Sequence, residues 1–225
     1  MNAGDVSGLS PAPASGKANA IRILAVDDHP LMRQGIASLL ATRPDMTLVA
    51  EAANGLEAIE CHQRLQPDVT LMDLQMPGLD GTSAIQQIIK IRPSARIVVL
   101  TTYAGDVQAK RALKAGACGY LLKNAIRREL IDAIQTAHAG LRYIPKDIAA
   151  DIGLHALDDA LSAREMDVLG QLRHGGSNKQ IAAALGLTEE TVKTHMKSIL
   201  SKLGATDRTQ AIVIAIRRGM VRVWD

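Results

Sequence analysis

Phenylalanine is absent from the 225 residues, and three Tyr and one Trp are the only aromatic side chains. The core is therefore left to Ile, Leu, Val, Ala and Met, which keep the hydrophobic content at an ordinary 47%. So few rings argue against a protein that holds single-stranded nucleic acid by stacking bases on aromatic platforms. Cysteine is nearly as scarce. Cys61 and Cys118 are far apart and form no C-x-x-C pair, which argues against a disulfide scaffold or a zinc site and fits a reducing compartment. No apolar run approaches the length of a membrane span, and "MNAGDVSGLSPAPASGKANA" lacks the apolar centre of a signal peptide. A soluble cytoplasmic protein with a disordered leader over residues 1–20 is expected, with no membrane partner. G-x-x-x-x-G-K-[ST] is also missing, so nucleotide-driven chemistry has no phosphate cradle.

Charge is present but uneven. Residues 1–140 carry 14 basic and 13 acidic side chains, whereas 161–225 carry 10 and 6, so the modest net charge of +3 conceals a C-terminal part that leans basic, as an anion-binding module would. The hydrophobic pattern also changes along the chain. From Ile21, five short apolar runs, "IRILAV", "TLVAEA", "DVTLM", "RIVVL" and "GYLL", begin near residues 21, 47, 68, 95 and 117. Most are continuous and not alternating, as in parallel strands covered on both faces. Between them lie amphipathic helical stretches such as "LMRQGIASLL" and "DGTSAIQQIIKI". Repeated βα units with right-handed crossovers predict a five-stranded doubly wound parallel sheet over 21–140, with any site at the C-terminal strand ends. Residues 141–160, with Pro145 and Gly153 and a net acidic balance, read as a linker. From Leu161 to 225 the pattern becomes wholly helical, most segments opening on Ser, Thr or Asp and closing on Gly, which predicts a small all-α domain.

The strand-end rule gives meaning to "AVDDHP". Asp27 and Asp28 follow the first strand, and Asp73 in "LMDLQMPG" follows the third, so three carboxylates converge. Adjacent carboxylates disfavour each other's ionisation unless a cation lies between them, and a few carboxylates with water are what Mg²⁺ takes. Thr101 closes "RIVVLT" and Lys123 closes "GYLLK", adding a hydroxyl and an ammonium. Taken singly, Asp28 is a helix cap, Thr101 a common strand-end residue and Lys123 an exposed lysine. Jointly, from four strand ends, they describe a carboxylate nucleophile beside a cation, suited to taking up a phosphoryl group.

On these residues, 21 to about 140 resembles a response-regulator receiver domain, a flavodoxin-like fold. The resemblance implies Asp73 as phosphoacceptor and Mg²⁺ held by Asp27, Asp28, Asp73 and the backbone carbonyl of Gln75. It also implies that Thr101 and Lys123 bind phosphoryl oxygens, and that Tyr120 is an aromatic that turns inward as the threonine moves. From the residues alone, Tyr120 reads as an ordinary strand aromatic. Aspartate-nucleophile phosphatases are the competing class, but they place a second acid two residues after the nucleophile, where this chain has Gln75, an amide that cannot protonate a leaving group. Self-modification is therefore expected, and not turnover as an enzyme.

"SNKQIAAALGLTEETVKTHMKSILSKLG" has helix-turn-helix spacing. Its second helix, from about Glu189, leaves Lys193, Thr194, Lys197 and, near its end, Lys202 outside, a cationic face suited to phosphates or guanine edges. Acidic residues early and lysines late also suit the helix dipole. Residues 161–220 resemble the LuxR-type DNA-binding domain, and the two resemblances together point to the NarL/FixJ class of response regulators. That likeness implies DNA contacts from Lys193 and Lys197, with Thr194 shaping sequence preference. The last helix, "TQAIVIAIRRG", is apolar in every direction, so Ile212, Val213 and Ile216 are expected to meet a second copy in a two-fold dimer on a pseudo-palindromic double-stranded site. The reading is a regulator phosphorylated on Asp73 by a sensor histidine kinase, which thereby controls dimerisation and DNA binding. A constitutive DNA-binding regulator with a phosphorylation-independent receiver is the alternative.

Overall fold

A computed structural model describes residues 20–102, 105–155 and 160–221; most of the expected leader, part of the linker and the last four residues lie outside these. The apolar runs form β1 (Ile21–Val26), β2 (Met46–Ala52), β3 (Val69–Asp73), β4 (Ile97–Thr101) and β5 (Gly119–Leu122), all parallel, in the order β2-β1-β3-β4-β5. Every residue of β3 and β4 is buried, which is why these runs do not alternate. Helices α1 (Pro30–Ala41), α2 (Gly55–Leu65), α3 (Gly81–Ile91), α4 (Asp106–Ala115) and α5 (Ile126–His138) alternate with the strands. Successive strand residues feed opposite cores: Leu24 and Val26 pack with Ile85 and Ile88 of α3 and the alanines of α4, while Ile23 and Ala25 pack with Ile36 of α1 and Leu130 of α5.

The segment expected to be a linker is instead fastened to this unit. Tyr143 lies beside β5, its N–H donating to Cys118 O at 3.1 Å and its carbonyl accepting from Tyr120 N at 2.8 Å. Helix α6 (Lys146–Leu154) follows, with Ile148 buried in the same core as α3 and α4. Pro145 marks the N-terminal cap of that helix and not an irregular connection.

The C-terminal unit is α7 (Ala163–Leu172), α8 (Asn178–Leu185), α9 (Glu189–Leu203) and α10 (Arg208–Arg217) around Val168, Leu169, Ile181, Val192, Ile199, Ala211 and Ala215. Full capping boxes open α7 (Ser162 with Glu165) and α8 (Ser177 with Gln180), and left-handed glycines, Gly186 and Gly204, close α8 and α9. Among the described residues, no helix is long and apolar enough to cross a membrane.

One buried polar side chain sits apart from any site. His62 of α2 meets Thr70 Oγ1 through Nδ1 at 3.2 Å, and burial pushes its pKa down to about 4, with the Arg92 charge adding to the effect. The folded chain thus refuses a proton that the unfolded chain accepts at about pH 6.5. Stability should be full above that pH and fall by up to about 3 kcal/mol as pH drops toward 4. In urea unfolding at pH 7 and pH 4.5, His62→Leu should flatten this acid limb; an unchanged slope would assign the limb to other groups.

Candidate functional site

The strand register builds the site. Val26 pairs with Met72, Asp73 with Leu100, and Thr101 with Leu122, so Asp27, Asp73, Thr101 and Lys123 fall in one row at the C-terminal edge of the sheet. Asp27 and Asp73 are 0% and 2% exposed. Lys123 Nζ lies between them, 2.7 Å from Asp27 Oδ2 and 2.8 Å from Asp73 Oδ2. Burial raises the Asp73 pKa, and Asp27 adds to this, while Lys123 and the Gln75 N–H, which donates to Asp73 Oδ1 at 3.2 Å, pull it back. Burial alone would lower the Lys123 pKa, but the two carboxylates outweigh it and the net shift is upward. Asp28 is partly exposed beside them.

Two neighbours went unnoticed in the sequence. His29 donates its backbone N–H to Asp27 Oδ1 at 2.9 Å, and its ring Nδ1 is 2.7 Å from Asp28 Oδ1. Arg33, one turn into α1, donates to Asp27 O at 2.6 Å and to Glu51 at 3.0 Å. The "DDHP" spelling carried the first signal, since an imidazole directly after two acids has little choice of neighbours. The side chains of Asp27, Asp28, His29 and Asp73 offer ligand atoms within 4.8 Å of one another, a group that could hold a metal ion. Its three carboxylates are hard oxygen donors, which fit Mg²⁺.

The floor of the site depends on "MPGLDG". Gly78 takes φ +74° in the turn, Asp80 caps α3 by accepting from Ser83 N at 3.0 Å, and Gly81 N–H donates to Leu74 O. A Cβ on Gly81 would collide with the backbone of Asp73, so only glycine lets α3 start this close to the acid. On the other side, Thr101 and Tyr120 are both buried and share a side-chain hydrogen bond. Tyr120 therefore points inward, and burial raises its pKa despite that bond.

In the C-terminal unit, Lys193, Thr194 and Lys197 stand exposed on α9. Lys193 makes only loose, exposed pairs with Glu190 and Glu189, at 3.4 and 3.7 Å, and Thr194 Oγ1 donates back to Glu190 O. Lys202 departs from expectation. Its Nζ reaches inward to Glu165 Oε2 at 2.8 Å and Ala160 O at 3.3 Å, because a lysine stem is long enough to cross to α7. On α10, Ala211 and Ala215 face the core; Val213 is 50% exposed, and Ile212 and Ile216 are half-buried.

A family model described as the response regulator receiver domain matches residues 23–135, and one described as bacterial regulatory proteins, luxR family, matches 159–215. The transcriptional regulatory protein LiaR of Bacillus subtilis is 39% identical over 209 residues, covering 89% of this chain and 99% of its own. The response regulator protein VraR of Staphylococcus aureus is 38% identical over 207 residues, covering 90% and 99%. Among solved structures, RcsB of Salmonella enterica serovar Typhimurium, bound to a promoter in the presence of phosphomimetic BeF3−, superimposes with TM-score 0.68 at 26% identity over 87% of this chain and 98% of its own. A structure of two RcsB dimers on two parallel DNAs has TM-score 0.66 at 25% identity, covering 88% and 99%.

Glu165 gives this unit a measurable signature. Burial opposes its charge, but Lys202, Ser198 Oγ at 2.6 Å and the Ser162 N–H hold its pKa down at about 2. The stabilisation is complete above the ordinary value of 4.5 and lost as pH falls toward 2. Glu165→Gln should lower the calorimetric midpoint of the C-terminal unit at pH 7 and lose most of that deficit at pH 3. An equal deficit at both pH values would show that packing, and not charge, ties α7 to α9.

Proposed function

Since the chain belongs to the response regulators that join a receiver to a LuxR-type DNA-binding domain, we propose that Asp73 is the acceptor through which a sensor histidine kinase controls transcription. The chain is a response regulator of a two-component system. The observation that carries the assignment of Asp73 is its pairing with a second buried carboxylate through one ammonium. Asp73 is buried with its carboxylate 2.8 Å from the Lys123 ammonium, so in its ionised form it is a nucleophile already stripped of most of its water.

In the proposed step, an Asp73 carboxylate oxygen attacks the phosphorus of a phosphohistidine, the P–N bond breaks, and the electron pair leaves with the imidazole of the kinase. Lys123 supplies positive charge to the phosphoryl oxygens as charge on Asp73 is consumed, and the Thr101 hydroxyl offers them a donor. Asp27, Asp28, Asp73 and the carbonyl of Gln75 are the groups that would hold Mg²⁺. When bound, that ion offsets the negative charge of the carboxylates and the incoming group. As Thr101 turns toward the phosphoryl group, its hydrogen bond with Tyr120 ties the aromatic ring to the same movement.

For the output, α9 is the recognition helix, with Lys193 and Lys197 on DNA and Thr194 contributing to sequence preference. Ile212, Val213 and Ile216 of α10 form the contact between two copies, which would set two recognition helices on successive turns of a pseudo-palindromic site. The exposure of Lys193, Thr194, Lys197 and Val213 supports this reading, as do the dimers of RcsB on DNA.

Asp73→Asn should abolish the mass gain of one phosphoryl group after Mg²⁺ and acetyl phosphate are added, with the circular dichroism spectrum unchanged; labelling at the wild-type level would move the acceptor elsewhere. On DNA, Lys197→Ala should reduce the salt slope of binding by about one, as for a lysine held on phosphate. Lys202→Met, which removes a lysine turned toward Glu165, should leave that slope unaltered. Equal slopes in all three proteins would take α9 off the DNA.

A further inference from the structure

Helix α9 carries an acidic side chain on the very face that its lysines share. Glu189 and Glu190 stand in the first turn, their side chains 51% and 82% exposed, and approach Lys193 Nζ at 3.7 and 3.4 Å. The two differ in direction. At 3.6 residues per turn, Glu190 points within about 15° of the mean direction of Lys193, Thr194 and Lys197, whereas Glu189 is turned about 90° away. Thr194 lies one turn above Glu190 and donates from Oγ1 to the Glu190 carbonyl at 3.0 Å. Val192, Met196 and Ile199 are buried on the other side of the helix. The helix dipole favours an acid in the first turn, but it favours both glutamates alike and gives no reason for one to stand in line with the cations. Thr188 already caps the helix by accepting from Thr191 N at 3.1 Å.

We propose that Glu190 reads a base: its carboxylate accepts a hydrogen bond from the N4 amino group of a cytosine in the major groove, which makes one C·G pair a requirement of the binding site. The proposal rests on the reading of α9 as the recognition helix. If Lys193, Thr194 and Lys197 face DNA, Glu190 faces it too, from the end of the helix whose residues meet base edges. A carboxylate is repelled by phosphates and by the acceptors that guanine and thymine present in the groove. Adenine sets its N7 acceptor beside its amino group, which an acceptor-only side chain does not match; cytosine offers the amino group without an acceptor on its own edge. Glu190 therefore selects as much by what it rejects as by what it holds.

The ion pairs give that choice a second consequence. Off DNA, Lys193 is shared by two carboxylates in loose, exposed pairs that cost little to break. When Glu190 turns to a cytosine, Lys193 keeps only Glu189 and is freer to reach a phosphate or a guanine edge. On a duplex that lacks the cytosine, Glu190 stays against Lys193 and withholds part of its charge. Base reading and backbone contact are then coupled through one lysine.

Two variants of the full chain separate base reading from charge. Glu190→Gln and Glu189→Gln each remove one exposed carboxylate from the same turn and from the same lysine, but only the first changes the DNA-facing line. After treatment with Mg²⁺ and acetyl phosphate, each protein is used to select sites from a pool of duplexes randomised over their central segment. The wild type and Glu189→Gln should enrich sites with a fixed C·G pair in each half. Glu190→Gln should lose that pair with the other positions unchanged, or exchange it for A·T, because a glutamine amide matches N6 and N7 of adenine. On an enriched site, thymine in place of that cytosine should weaken wild-type binding about tenfold and Glu190→Gln binding less than about threefold. The same preferences in all three proteins would overturn the role of Glu190, and so would loss of the pair in both variants, which would assign it to charge alone. A wild type that enriches no sequence at all would instead remove α9 as the recognition helix, and this role with it.

Discussion

One ammonium group makes the end of the sheet possible. Asp27 and Asp73 lie almost wholly out of water, and two such carboxylates repel; Lys123, within 2.8 Å of both, bridges them and offsets one of the two charges. Lys123 can do so only if β5, which delivers it, is two strands from β3 and in step with it. That in turn requires β4 to pair Asp73 with Leu100 and Thr101 with Leu122. A slip of one residue anywhere in this series would point the site into a core and a core residue into water. The acidic site and the sheet register are therefore one constraint seen from two sides.

The helices serve that constraint in different ways. The continuous burial of β3 and β4 demands a layer on each face, and α3 closes over Asp73 only because Gly81 has no side chain. On the far edge, Tyr143 and α6 extend the receiver, so that what leaves it toward the C-terminal unit starts from α6 and not from α5. Lys110 joins the start of α4 to the end of α6, and the end of α10 meets that same helix start at Asp106.

Most of the fold was legible because its signals are local and repeated. Five apolar runs at even spacing can satisfy their backbones and bury both faces in few ways other than a parallel sheet, and strand ends then bring together acids separated by many residues. Helix α9 was legible from its cap and its terminal glycine. Features that depend on reach were not. Lys202 lies on the outer side by periodicity, yet its stem crosses to Glu165, and periodicity gives a direction but no length. Helix α6 was missed because Pro145 precedes it and Gly153 interrupts its last turn, while its apolar stripe, Ile148 with Ile152 one turn on, is too short to stand out. The Asp106–Arg218 pair spans 112 positions with no flanking motif on either side, so nothing short of the folded chain reveals it.

The chemistry of that last pair sets geometry more than stability. A buried ion pair recovers in attraction little more than it loses in hydration, so it contributes modest net stability while its geometry is strict. Beside the pair, the Val107 N–H donates to Arg218 O, and Gly105 leaves no room for a side chain against Arg218. The pair therefore fixes where the end of α10 sits against the start of α4 more than it adds to stability.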